Sequence, residues 1–170
     1  MEADKPVASP TCAAREAPDG YMGFAERDEL VAELNVLLEA ERAGARVGAR
    51  LVAQAKPDAE YIALAETIHD DEVKWCGVLF AALKDLGAIP SETVGDFYEK
   101  TMAIEGLEDR IAFVNRGQGW VVRKLETLLP RIRDDRLHGA LREMLDAHLV
   151  NIAAADDALA RRGFTPPPRR

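Results

Sequence analysis

The sequence predicts an all-α domain built as a bundle of four long helices, and three observations predict it. Alanine and leucine are abundant while β-branched residues are sparse and aromatics make up 6% of the chain, a balance that favours helix over sheet. Four stretches repeat apolar residues with the 3.6-residue period of an amphipathic helix. Proline or glycine interrupts the pattern between them, at Pro57, at Gly87 and Pro90, and at Pro130. At 170 residues the chain fits one domain with a sizeable buried core.

The elements follow in order. Residues 1–25 are rich in Pro, Ala, Gly and small polar residues and read as an extended N-terminal tail or a strap over the domain. A first helix is expected over 26–55, with Leu30, Leu34, Leu37, Ala45, Gly48 and Val52 on one side and Pro57 opening the next element. A second fits 58–86, with Ala65, Ile68, Leu79, Leu83 and Leu86 inward; Gly87 is its stop, and Pro90 excludes continuation. The segment GAIPSETVGDFYEKTMAIEG reads either as a crossover with a short helix over 96–105 or as the start of one long third helix. The core of helix three spans 107–129, carrying Leu107, Ile111, Val114, Val121, Leu125 and Leu129. Helix four fits 134–160, with Leu137, Leu141, Met144, Ile152, Ala155 and Leu159 inward. The domain thus spans 26–160, and residues 161–170 form a tail whose consecutive prolines cannot continue a helix.

Composition excludes several functions. A formal charge of -8 argues against nucleic acid or an anionic membrane as an electrostatic partner. No apolar run reaches membrane-spanning length, and the first residues lack the basic start and apolar core of a secretion signal. Cys12 lies in the tail and Cys76 in an apolar helical stretch, so a disulfide framework is not expected and a cytoplasmic location is.

One feature of the four helices departs from a simple apolar stripe. With about 100° per residue on the helical wheel, Glu41 falls near the middle of the apolar face of helix one, while Glu39 falls on the opposite side as a solvated carboxylate. Glu72 is central on helix two, with His69 one turn earlier on the same face; Asp70 and Asp71 point away. Gln118 is central on helix three, with Asn115 off-centre, and His148 is central on helix four, followed by Asn151 on the inward side. Glu41 and Glu72 sit at similar distances from the turn near Lys56, and Gln118 and His148 do so from the turn near Arg131, so the four can share one layer.

A buried carboxylate is costly, and one beside a second carboxylate costs more, unless something positive holds them together. A divalent metal is the natural counter-charge. Glu41, His69, Glu72 and His148 are the candidate ligands, and Gln118 and Asn151 are candidates for weak ligation or for orienting water or histidine at the centre. Iron or manganese suits this donor set, with zinc as a further candidate. The alternative is a metal-free polar network that fixes helix register. Other side chains have plainer readings: Cys76 as a small core residue, Trp75 and Trp120 as packing anchors, Tyr21, Tyr61 and Tyr98 as surface or boundary packing. Arg42, Arg46 and Arg50 solvate a helix edge and pair with acidic neighbours. The glycines flanking Gln118 allow close helix approach or admit a ligand.

The stretches ELNVLLEAERAGARV, AETIHDDEVKWC and EMLDAHLVNIAAADDAL, with the long helix containing Gln118, resemble a small bacterial member of the ferritin-like superfamily over residues 26–160. The resemblance implies a carboxylate from helices one and three and ExxH pairs from helices two and four, around two irons or manganeses. Glu41 fits the first role. Glu66 and His69 match the second motif by spacing, whereas His69 and Glu72 match it by facing in reversed order. Gln118 stands where helix three would supply Glu, and Leu145 leaves His148 without its carboxylate three residues earlier. A mononuclear or altered dinuclear site is therefore as reasonable as the usual cluster. The function expected is metal-dependent redox chemistry on oxygen, peroxide or a small molecule, with a homodimer as the candidate assembly. The alternatives are a non-enzymatic helical interaction protein and a metal sensor.

Overall fold

The computed structural model describes residues 19–165; Cys12, the Tyr21 side chain and most of both expected tails lie outside the described residues. A short 3-10 turn, Asp19–Met22, precedes five helices: α1 Arg27–Gln54, α2 Ala59–Asp85, α3 Phe97–Met102, α4 Leu107–Leu128 and α5 Asp135–Arg161. There is no strand among the described residues, and no helix there is long and apolar enough to cross a membrane.

Local chemistry sets the boundaries. Asp58 caps α2 by accepting from the backbone N–H of Glu60 and Tyr61, and Asp134 caps α5 by accepting from Leu137 N–H. Gly87, with φ 67°, closes α2 in the left-handed conformation that glycine adopts without steric cost. Gly106, with φ 86°, separates α3 from α4, so the crossover carries a short helix of its own rather than the start of a longer third one. Pro130 sits in a 3-10 turn, Leu129–Arg131, just beyond α4.

The chain direction is fixed by contacts at the two ends. The turn after Gln54 folds α2 back along α1. Arg27, at the start of α1, donates to the carbonyl of Leu86 at the end of α2 (3.0 and 2.8 Å). At the opposite end Arg110 of α4 donates to Gln54 Oε1 (2.7 Å), and Arg161 of α5 pairs with Glu60 of α2. Residues 86–106 therefore run the length of the bundle, α2 and α4 point the same way, and α5 returns antiparallel to α4. Around the ring the neighbours are α1–α2, α2–α5, α5–α4 and α4–α1, with the α4–α1 seam the most sparsely packed of the four.

The buried apolar residues form two clusters. One holds Leu34, Leu37, Leu38, Trp75, Leu79 and Leu125 with their neighbours near the α1 start; the other holds Val47, Leu51, Tyr61, Ile68, Ile111 and Leu159 with theirs near the α1 end. Each fully buried large apolar side chain contributes on the order of 1.5–3 kcal/mol. The predicted inner face of α1 needs one correction: Val47 and Leu51 are buried, while Ala45 and Val52 are half-buried. Both α2 and α4 pack on α1, so its buried arc is wider than a single stripe. Tyr61, expected at a boundary, is in the core at 2% exposure.

The α1–α2 pair is held close by glycine. A Cβ on Gly48 would sit 2.9 Å from His69 Cα and 3.2 Å from its backbone nitrogen. Gly48→Ala is expected to lower stability, because overpacking against backbone costs about 1–3 kcal/mol while helix propensity returns only about 1 kcal/mol. Urea denaturation would show this as a reduced midpoint; an unchanged or higher midpoint would contradict the close approach.

Candidate metal centre

Between the two apolar clusters lies a polar layer with one central residue from each long helix: Glu41 from α1, Glu72 from α2, Gln118 from α4 and His148 from α5. All four are buried, Glu41 completely and Glu72 to 6% exposure. One ligand atom each from Glu41, Glu72 and His148 lies within 4.8 Å of the others, close enough to meet on a single ion. The Glu41–His148 contact spans the bundle from α1 to α5, with His148 Nε2 at 3.5 Å from Glu41 Oε1.

The imidazole is oriented for this position. His148 Nδ1 lies 3.0 Å from the carbonyl oxygen of Met144, one turn earlier. A carbonyl only accepts, so Nδ1 carries the hydrogen, and Nε2 is the ring nitrogen turned toward the carboxyls. Nε2 has no hydrogen-bond partner, nor does either oxygen of Glu41, nor either polar atom of the Gln118 amide. Native interiors rarely leave so many adjacent polar atoms unpaired without a ligand to pair them.

Space for the second carboxyl comes from Gly44. A Cβ there would fall 2.4 Å from Glu72 Oε2 and 2.5 Å from Cδ. Gly44 follows Glu41 by three residues on the same face of α1, so the small side of that helix turn faces the carboxyl of α2. Its signal in the sequence is a glycine three positions from a central carboxylate, a pattern that the wheel positions of the polar residues do not show.

Two expected site residues are placed elsewhere. His69 is half-buried at the α1–α2 seam, where Nδ1 meets the carbonyl of Ala45 at 2.9 Å; it is not in the three-residue cluster. The cause is rotational: with Glu72 at the centre of the face, a residue three positions earlier is carried toward α1, where Gly48 packs on it. Glu66, its alternative partner, is exposed. Asn151 is buried, but its amide donates to Asp71 Oδ2 at 2.8 Å and is engaged there. Asp71 was expected to point away. It is half-buried, and its charge acts on both Glu41 and Glu72. Cys76 packs against the first apolar cluster, and burial, reinforced by the charges of Glu41 and Glu72, pushes its thiol up to about 12. It is a protonated packing residue rather than a nucleophile.

A cleft of about 520 Å³ opens along the sparse α1–α4 seam and reaches this layer at Glu72 and Gln118. Its walls are mainly apolar, with Val36, Ala40, Phe113, Val121 and Trp120, and α3 covers it through Phe97. Gly117 allows that cover: a Cβ there would lie 2.6 Å from the Phe97 ring, so of the two readings of the flanking glycines this one packs closely.

Without a cation, the two carboxyls resist ionisation. Burial pushes Glu41 up to about 8, with the charge of Asp71 adding to it, and burial together with the neighbouring Glu41 raises Glu72 well above the ordinary range. Protons bound in the folded state at these sites are lost from the unfolded chain above its ordinary carboxyl value. Their contribution to stability is therefore full below pH 4.5 and falls as pH rises toward 8. The metal-free protein should lose stability over that interval, by up to about 1.4 kcal/mol per pH unit for each retained proton. Glu41→Gln should flatten the dependence in chemical denaturation from pH 5 to 8; an equally steep curve in the variant would show that Glu41 is not its source.

No curated protein and no solved structure matches the chain. Residues 28–158 match the family described as a domain of unknown function, DUF6306. The matched segment starts within α1, ends within α5 and contains all four residues of the central layer. On that match, which takes in most of its length, the chain belongs to the DUF6306 family.

Proposed function

We propose that the chain is a ferritin-like metal-dependent redox protein, and that Glu41, Glu72 and His148 hold one iron or manganese ion in the bundle core. The observation that carries this reading is the convergence of three buried ligand atoms from three helices within 4.8 Å, with Glu41 and His148 Nε2 left unpartnered. Two carboxylates and one neutral imidazole match the charge of a divalent ion and suit either metal. Zinc fits the same donors but brings no redox chemistry. The single long crossover between α2 and α4 supports the ferritin-like assignment, since ferritin-like bundles carry one such connection.

A bound ion would supply electron transfer and Lewis acidity toward oxygen, peroxide or a small substrate. The protein's own part is positional. The carbonyl of Met144 fixes the His148 ring, Gly44 gives the Glu72 carboxyl its place, and the Gln118 amide offers both a donor and an acceptor beside them. The α1–α4 cleft provides entry for a small molecule, while the two apolar clusters keep bulk water from the layer.

Metal analysis of purified protein should find about one iron or manganese ion per chain, removable by chelation. Adding back metal at 100 times its dissociation constant should stabilise the fold by about 2.7 kcal/mol. Glu41→Gln and His148→Ala should each weaken binding by more than the roughly 10–100-fold typical of losing an outer partner of a ligand. Protein that takes up none of these metals, with melting indifferent to chelator, would leave a metal-free polar core instead. Uptake with stabilisation but no redox activity would favour a sensor.

Gly44→Ala separates site geometry from fold. Alanine is the better helix former by about 1 kcal/mol, and the atoms nearest its methyl belong to the movable end of Glu72. Stability of the metal-free protein should hold or rise while metal affinity falls at least tenfold. Unchanged affinity in isothermal titration would show that the place of the Glu72 carboxyl is immaterial to the site.

A further inference from the structure

The cleft that leads to the polar layer has a chemistry of its own. Its volume, about 520 Å³, lies within the usual range for small-molecule sites, and its construction is similar: apolar walls between a charged mouth and few polar groups at the inner end. Phe97 and Phe113 stack at 5.1 Å between centroids, with 16° between planes, and Trp120 and Val36 also line the cleft. Flat aromatic surface of this kind favours a flat apolar occupant.

The inner end is defined by Gln118. This side chain is 3% exposed, lines the cleft, and has no partner for either Oε1 or Nε2. An amide left with both ends unpaired calls for a group that donates and accepts at once. A hydroxyl does this through one oxygen, and a carboxamide does it with two parallel hydrogen bonds. Charge is disfavoured at both ends. The mouth is balanced, with Glu39 and Asp96 against Lys100 and Arg116, and Lys100 is paired with Asp96 at 2.7 Å. At the inner end the two carboxylates would neutralise a divalent ion, which leaves no net positive charge to hold an anion.

We infer that the cleft binds an uncharged aromatic molecule of one or two rings, with a hydroxyl or carboxamide seated on Gln118 and the ring among Phe97, Phe113 and Trp120. The inference deepens the proposed metal-centre reading, from which it takes the identity of this molecule as the substrate presented to the centre. The recognition itself depends on Gln118 and the aromatic wall.

The test is a titration followed by amide and side-chain NMR with four single-ring probes of similar size: phenol, benzamide, benzoate and benzylammonium. It is run on metal-free and on metal-loaded protein, with metal uptake measured in the same samples. Phenol and benzamide should shift resonances of Phe97, Phe113, Gln118 and Trp120, and should bind at least tenfold more tightly than either charged probe. Gln118→Leu should reduce benzamide affinity about tenfold while toluene binding persists; if the variant does not fold, the four-probe ranking on wild-type protein decides alone. Charged probes binding as well as neutral ones, or shifts that bypass Gln118, would overturn the inference. Metal uptake without probe binding rejects the cleft reading and leaves the metal centre standing. Neutral probe binding without metal uptake leaves the cleft reading and rejects the centre.

Discussion

The architecture turns on one electrostatic constraint: two carboxyls and an imidazole are buried together between two apolar clusters. Taking a carboxylate out of water costs several kcal/mol even after relaxation, and a second carboxylate beside it adds repulsion. Protons can meet that demand, which is why Glu41 rises to about 8 and Glu72 also rises. A cation can meet it without protons. The choice between these two states is the central physical variable of this bundle. Much of the local sequence serves it: Gly44 makes room, Met144 sets the imidazole tautomer through its carbonyl, and Asn151 engages the nearby Asp71.

The crossover explains how a buried layer is joined to solvent. From Leu86 to Tyr98 the chain is tied along the outer side of α1 by a series of polar contacts. Arg27 holds Leu86, Asn35 and Glu39 hold Ser91, Arg42 donates to the Ser91 carbonyl, and Arg46 lies 4.6 Å over the Tyr98 ring. Hydrogen bonds from Ser91 and Thr93 hold the Glu39 carboxyl below the usual range, so it is part of this attachment rather than a freely solvated group. Arg42 and Arg46 likewise meet a backbone carbonyl and an aromatic ring, and the charge of Arg42 also acts on its acidic neighbour Glu39. With α3 tied to α1 in this way, the α1–α4 seam is covered from outside instead of closed by direct helix packing. The cleft is the consequence.

The sequence made the long-range plan legible because that plan is written in periodicity. Pro57, Gly87 and Pro130 placed the turns, and helical phase put Glu41, Glu72, Gln118 and His148 at the centres of their faces. Helical phase is less decisive at the edge of a face. His69 and Glu72 are three residues apart and share a face on a wheel, yet only Glu72 reaches the centre once α1 and α2 close on Gly48. Asp71 lies at the same kind of edge, where a boundary residue becomes half-buried or exposed according to which helix packs beside it. The ties of Asn35 and Glu39 to Ser91 join residues more than fifty positions apart through an irregular segment, and no periodic pattern encodes them.

The same layer bears on how many ions the proposed centre holds. A second ion would need further anionic donors facing the first three ligands. Glu66 is exposed, His69 is turned to Ala45, Leu145 is a core hydrocarbon, and Gln118 is neutral. Asp71 is a remaining carboxylate whose charge reaches Glu41 and Glu72, but the Asn151 amide already engages it. One divalent ion balances Glu41 and Glu72; two would leave an excess of positive charge in the interior, as costly as the unpaired carboxylates that the first ion relieves. The donor set therefore favours a mononuclear centre. The position that helix three fills with a carboxylate in two-metal bundles is held here by an amide, which can orient a neutral molecule but cannot supply the missing charge.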